Sequence, residues 1–168
     1  MLTVKDVELM VFAEQGDAEA QFRLGVRYRQ GNGVRKNYAK AVEWYTKAAA
    51  QGHSGAQNNL GTCYKTGEGV KKDLYKAVDL YTKSAKHGDM VAQFNLGVCY
   101  YNGTGIKQDY TEAVKWLLKA AEQGDSWAQN DIGNCFLDGN GVEKDLAKGV
   151  EWIAKAALPS NNHRLTTD

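Results

Sequence analysis

Four stretches of this chain share one wording at a spacing of 36 residues, and that spacing constrains the fold more than any other feature. Ala20-Gln21, Ala56-Gln57, Ala92-Gln93 and Ala128-Gln129 open them, and Leu24-Gly25, Leu60-Gly61, Leu96-Gly97 and Ile132-Gly133 follow. Each then closes on a glycine pair: Gly31/Gly33, Gly67/Gly69, Gly103/Gly105 and Gly139/Gly141. No insertion breaks the period from Gly16 to Ala157. A fixed period of about 20–50 residues marks a solenoid, in which each unit buries its apolar face only by stacking on the next. The repeated positions then make the scaffold, and function resides in the departures from the repeat.

Each unit reads as helix, glycine turn, helix. In the first unit the pattern predicts helix A over residues 18–30 and helix B over 38–50. Asp17, Asp89 and Asp125 are natural N-caps for helix A, with His53-Ser54 in the second unit, and Asn37, Asp73, Asp109 and Asp145 are N-caps for helix B. The first glycine of each pair stops helix A in a left-handed conformation. The second carries the chain round. At 100° per residue, Ala20, Gln21, Leu24, Gly25 and Tyr28 share one arc of helix A, the predicted core arc. On helix B the core side holds Ala41, Val42, Trp44, Tyr45, Ala48 and Ala49. Gly25 facing Ala41 or Ala48 predicts a close approach of two backbones, and Trp44, Trp116 and Trp152 are expected to fill the spaces between helix pairs.

Residues 4–14 align with a helix B and form a half repeat covering the first helix A. Full repeats run over about 16–51, 52–87, 88–123 and 124–158, so residues 1–158 are expected to be one solenoid. A polar tail, 159–168, follows and begins at the single proline, Pro159. No capping helix follows the last helix B, whose outer face, with Val150 and Ile153, is expected to be covered by the tail or by another molecule. Charge is uneven along the array: Arg23, Arg27, Arg29, Arg35, Lys36, Lys40 and Lys47 crowd the first repeat, and Asp125, Asp131, Asp138, Glu143, Asp145 and Glu151 the last. That polarity permits weak head-to-tail self-association.

A net charge of +1 argues against a nucleic-acid or acidic-membrane partner held by bulk electrostatics. No apolar run approaches the ~20 residues of a membrane-spanning helix. The first residues lack the apolar core of a secretion signal, and Cys63, Cys99 and Cys135 occupy one repeat position. Stacked helices put equivalent atoms on the order of 10 Å apart. A disulfide needs Cα atoms within about 7 Å. Three unpairable thiols suit a reducing compartment, so a cytoplasmic location is expected, or the periplasm if a leader preceded Met1.

The unit Ala-Gln-Phe-Arg-Leu-Gly-x-x-Tyr-x-x-Gly-x-Gly-Val-x-x-Asn-Tyr-x-x-Ala-Val-x-Trp-Tyr-x-x-Ala-Ala-x-Gln-Gly resembles the Sel-one-like repeat (SLR) family, relatives of the tetratricopeptide repeats with a longer turn. The likeness covers residues 1–158. It implies an all-α fold, an α/α right-handed superhelical solenoid of 36-residue helix-turn-helix repeats, with helix A on the concave side and a role as adaptor or scaffold. A secreted branch of the family is stapled by cysteine pairs linking the two helices. Here those positions hold Ala and Gln, a departure from that branch.

Catalytic and metal signatures are missing. The Gly-x-Gly turns lack the strand, third glycine and lysine of a phosphate loop. The stretch from Asp138 to Asp145 fails as a calcium loop, with Val142 where an oxygen is required. Thr62-Cys-Tyr-Lys65 mimics a Ser-x-x-Lys motif without its other parts. His53, His87 and His163 have no ligand partners at metal spacing. The expectation is therefore a non-enzymatic module without cofactor or metal.

The informative positions lie opposite the core arc of helix A. They read Phe22, Asn58, Phe94, Asn130; then Val26, Thr62, Val98, Asn134; then Arg29, Lys65, Tyr101, Leu137; and Glu19, Gly55, Val91, Trp127. A merely solvated face would hold mostly Lys, Glu and Gln. Aromatic residues beside amides suit a groove for a peptide. The expected partner-binding face is Phe22, Val26, Arg29, Asn58, Thr62, Lys65, Phe94, Val98, Tyr101, Trp127, Asn130 and Asn134, taking a protein or peptide segment. Two roles follow: an adaptor that holds a segment, or a dedicated inhibitor or immunity-type protein that blocks one folded enzyme. The glycine-turn edge, with Arg35, Lys36, Lys71 and Lys72, is the next candidate patch.

Overall fold

The computed structural model describes residues 4–158, and among them there are nine α-helices and no strand. They are α1 (Val4–Glu14), α2 (Ala18–Gln30), α3 (Tyr38–Ala50), α4 (Ser54–Thr66), α5 (Leu74–Lys86), α6 (Met90–Asn102), α7 (Tyr110–Glu122), α8 (Ser126–Asp138) and α9 (Leu146–Ala157). The helices predicted over 18–30 and 38–50 are α2 and α3. Two compact units result, Met1–Asp89 with α1–α5 and Met90–Asp168 with α6–α9. Within the first, α2 pairs with α3 and α4 with α5; within the second, α6 pairs with α7 and α8 with α9. The expected tail, with Pro159 and His163, lies outside the described residues.

Seven N-caps are those the sequence implies. Asp17 and Asp125 accept from the amides of Ala20 and Ala128 at the starts of α2 and α8. His53 performs the same service for Ala56 through Nδ1, at 3.2 Å. Asn37, Asp73, Asp109 and Asp145 cap α3, α5, α7 and α9. Each side-chain oxygen satisfies a first-turn amide that the helix leaves without a partner. Gly141 shows why the turn needs glycine: its φ is +73°, and a Cβ would lie 2.2 Å from the carbonyl oxygen of Tyr110. A side chain there would meet backbone that cannot move aside.

The helix A glycine sets the spacing within each pair. A Cβ on Gly25 would fall 2.6 Å from the Tyr45 ring and 3.3 Å from the Ala41 carbonyl oxygen. So Gly25 approaches Ala41, with Tyr45 filling the space beside it. Tyr81, Leu117 and Ile153 take the same place over Gly61, Gly97 and Gly133.

In the first, second and fourth repeats the buried glutamine of the Ala-Gln pair ties the repeat to the helix before it. Gln21 donates through Nε2 to the carbonyl of Ala13 at 3.1 Å, Gln57 to Ala49 at 3.3 Å and Gln129 to Ala121 at 3.1 Å. Those carbonyls sit in the last turn of the preceding helix and also accept from the turn amides of Gly16, Gly52 and Gly124, so the glutamine fills a second lone pair. On the outer side of helix B, Lys47 lies over Trp44 at 4.0 Å, and Lys119 and Lys155 over Trp116 and Trp152 at 4.4 Å. The lysine stem covers the indole while its ammonium faces the ring.

α1 packs on α2 through Leu9, Met10 and Ala13, against Ala20, Leu24 and Trp44. Asp6 and Arg27 form an ion pair that the sequence pattern did not reveal. At the other end of the described residues Leu146 and Val150 of α9 are exposed, 61% and 62%, whereas Ile153 is half-buried.

Candidate binding face

In the first unit, many of the side chains expected to form an open groove are drawn into the fold. Phe22 stacks on His53 with ring centroids 4.5 Å apart and tilts against Tyr45 at 6.1 Å. Asn58 is only 7% exposed, which places its amide among packed helices instead of on a surface. The Thr62 hydroxyl lies 3.2 Å from both the Asn58 carbonyl and the Tyr81 hydroxyl. Val26 packs beside the core cluster of Ala41, Tyr45 and Leu60. Arg29 donates to Glu68 at 3.3 Å, and Lys65 is half-buried. The physical reason is that α2 must pack on α4 as well as α3. The arc opposite the intra-repeat core is therefore partly an inter-repeat contact.

The second unit differs. Phe94 and Val98 of α6 are half-buried against Leu117 and Ile132 and their neighbours. Tyr101 meets Tyr110 edge-on at 5.0 Å and takes a hydrogen bond from the Asn140 amide at 3.1 Å. Tyr101–Asn140 thus occupies the register of Arg29–Glu68 two repeats earlier. On α8, Trp127 is 62% exposed, and Asn130 and Asn134 are exposed as well. Spaced at i, i+3 and i+7, they form one stripe on that helix.

Between α6 and α8 lies a cavity of about 260 Å³, lined by Val98, Tyr101, Asn102, Leu117, Asp131 and Asn134. It brings together three residues expected from the sequence, Val98, Tyr101 and Asn134. It adds Asp131, which the sequence shows only as part of the acidic charge of the last repeat. Burial, with Asp125 nearby, pushes the Asp131 carboxyl above the usual carboxylate range, while a hydrogen bond from Asn130 opposes the shift. The signal was there to find: the column Arg23, Asn59, Asn95, Asp131 holds a carboxylate only in its last copy. Chemically, the cavity offers an apolar floor, a carboxyl group and two amides.

The glycine-turn edge of the first unit carries a second depression of about 500 Å³, with Met10 and Tyr28 beneath Arg35, Lys36 and Lys40. No disulfide joins the three cysteines, each about 1% exposed. Burial pushes the Cys63 thiol up and the Cys135 thiol to about 11, which leaves little thiolate for nucleophilic chemistry. Among the described residues no three His, Cys, Asp or Glu side chains gather as a metal-holding group, and no helix is long and apolar enough to cross a membrane.

Comparison with known proteins follows the same repeats. The Sel1 repeat family model matches residues 18–53, 54–89, 91–125 and 128–158. A protective antigen present in uropathogenic Escherichia coli strains, displaying an SLR fold, is 45% identical over 89% of this chain, with a TM-score of 0.86. A Sel1 repeat protein from Oxalobacter formigenes is 37% identical over 91% of the chain, with a TM-score of 0.84. Cysteine rich protein B of Helicobacter pylori is 28% identical over 75%, with a TM-score of 0.58, and this chain covers 95% of it. The chain spans 32% of the length of the E. coli protein and 63% of the O. formigenes protein. No match was found among curated protein sequences. These likenesses and the nine helices make the architecture an all-α repeat solenoid.

Proposed function

The chain belongs to the Sel1 repeat family, and on that premise we propose that it is a non-enzymatic interaction module holding a segment of a partner protein on the outward side of its helix A series, with α6 and α8 as the principal contact. One observation carries this reading. Trp127, Asn130 and Asn134 stand open in a stripe on α8, and Asn134 also borders the cavity shared with α6. An exposed tryptophan beside amides and an apolar recess is the composition of an interface centre, where aromatic anchors carry most of the binding energy. Unit one contributes less, because Phe22, Asn58 and Thr62 are engaged within the stack. Three buried thiols, none in a disulfide, support a reducing compartment such as the cytoplasm.

The test begins with capture of partners from the native host by the full chain, identified by mass spectrometry. Affinity is then measured by calorimetry for the chain and for Trp127→Ala and Asn134→Ala. Trp127→Ala should weaken binding by ~2 kcal/mol or more. Asn134→Ala should cost ~0.5–1.5 kcal/mol. Both should leave the helical circular dichroism unchanged. Full affinity in both variants would move the site to the turn edge of Arg35, Lys36, Lys71 and Lys72. Tight binding to one folded enzyme, with no affinity for peptides cut from it, would favour the inhibitor role over the adaptor role.

A further inference from the structure

We propose that the cavity between α6 and α8 is a receptor for a phenol, the side chain of a tyrosine in the bound segment; this rests on the reading of that face as the partner surface. The reason lies in the chain's own repetition. The position that follows Trp44 on helix B reads Tyr45, Tyr81, Leu117, Ile153 down the array. In the first unit Tyr45 is wholly buried over Gly25. Its hydroxyl lies beside the Asn59 side chain without completing a hydrogen bond of good geometry. Tyr81 places its hydroxyl 3.2 Å from Thr62. The helix B position therefore carries a phenol in two repeats, its hydroxyl beside Asn59 of the next helix A for Tyr45 and beside Thr62 of its own helix A for Tyr81.

Two repeats on, Val98 stands for Val26 and Asp131 for Asn59, but Leu117 stands for Tyr45. Leucine covers Gly97 as the ring covers Gly25, then ends short of the polar positions. What remains there is the recess of about 260 Å³, with Leu117 and Val98 as its apolar walls and Asp131 and Asn134 at its polar end. A tyrosine ring entering from outside restores the ring that the repeat lacks. Its hydroxyl donates to the Asp131 carboxyl or to the Asn134 amide oxygen, a hydrogen bond that phenylalanine has no group to make. A cationic side chain fits less well, since half of the recess is apolar and a charge within it would lose hydration.

The test uses the full chain and a small probe, so it needs no partner. p-Cresol is titrated while the methyl resonances of Leu117 and Val98 are followed by NMR, with toluene and methylguanidinium as comparisons. The expected result is a saturable shift of both methyl groups by p-cresol, about tenfold weaker with toluene. Asp131→Leu should erase the preference for p-cresol over toluene. Leu117→Tyr should fill the recess with the chain's own ring, as Tyr45 does in the first unit, and abolish binding.

No saturable shift, a preference for methylguanidinium, or undiminished p-cresol binding in Leu117→Tyr would each overturn the proposal. If Leu117→Tyr fails to fold, Asp131→Leu decides alone, a retained preference for p-cresol counting against it. A recess that refuses p-cresol while Trp127→Ala still weakens the partner defeats the phenol site and leaves the partner face standing. A recess that takes p-cresol while the partner ignores both Trp127→Ala and Leu117→Tyr defeats the partner face and the assignment to a partner's tyrosine.

Discussion

Gln123 donates through Nε2 to the side-chain oxygen of Gln93 at 2.7 Å, thirty residues earlier in the chain. Gln51 does the same for Gln21 at 2.8 Å. Since Gln21 in turn donates to Ala13, the amide at the end of one helix B is linked through helix A to the end of the helix before. The relay is incomplete at Gln57, whose side-chain oxygen is buried without a partner, because thirty residues on stands His87.

Completing that relay should stabilise the protein. His87→Gln supplies the missing donor, and a hydrogen bond to a buried acceptor contributes ~0.5–1.5 kcal/mol. Conversely Gln51→Ala removes the donor to both Gln21 and Gly16 and should cost ~1–3 kcal/mol. Urea unfolding followed by circular dichroism measures both. An unchanged midpoint for His87→Gln would mean that Gln57 gains nothing from a protein donor.

Gly141→Ala should destabilise by more than the ~1–2 kcal/mol of a left-handed residue alone. Backbone strain at φ +73° adds to collision with the Tyr110 carbonyl, which belongs to the first turn of α7. Gly52→Ala serves as the comparison: its φ is +86° but nothing lies within 4 Å of its Cβ. The difference between the two unfolding free energies isolates the clash.

The buried thiols should make the protein sensitive to alkali. Burial raises the Cys135 thiol from the ordinary value near 9 to about 11, with Asp131 and Asp138 adding to the shift. The folded state therefore holds its proton where the unfolded chain has released it. Stability from this group is fully present below pH ~9 and is lost as pH rises toward ~11. Tyr45, raised by burial to about 12, extends the decline. Cys135→Ala should flatten the fall between those limits in urea midpoints measured against pH. Alkylation of Cys63 and Cys135 should proceed only on unfolding, which mass spectrometry after brief iodoacetamide exposure would show.

Weak self-association through α9 is expected from the exposure of Leu146 and Val150. Charge contributes less than the raw sequence implies, because Arg23, Arg27 and Arg29 pair with Glu19, Asp6 and Glu68 inside the first unit. Sedimentation velocity at rising concentration should show a shift that Val150→Glu removes and that salt changes little. A strict monomer at every concentration would count against it.

The period of 36 residues determined the helices, their caps, their glycine turns and the core side of each one. These are local or nearest-neighbour matters. A cap needs only an oxygen beside a first-turn amide, and an apolar arc needs only the angle between successive residues. The cysteine column follows from the same geometry and is buried. What a projection of one helix cannot decide is how deeply neighbouring side chains cover the opposite arc. That is why Asn58, read as a groove residue, is buried, while Asn130 in the same column is exposed. Nor does the pattern weigh the reach of a side chain across a gap. Tyr45 fills its space and Leu117 leaves a cavity, so Asp131 becomes part of a recess and Asn59 a neighbour of a phenol. One repeat unit thus builds two different surfaces, because packing depends on the volume of the neighbour and on contacts between residues far apart in the chain.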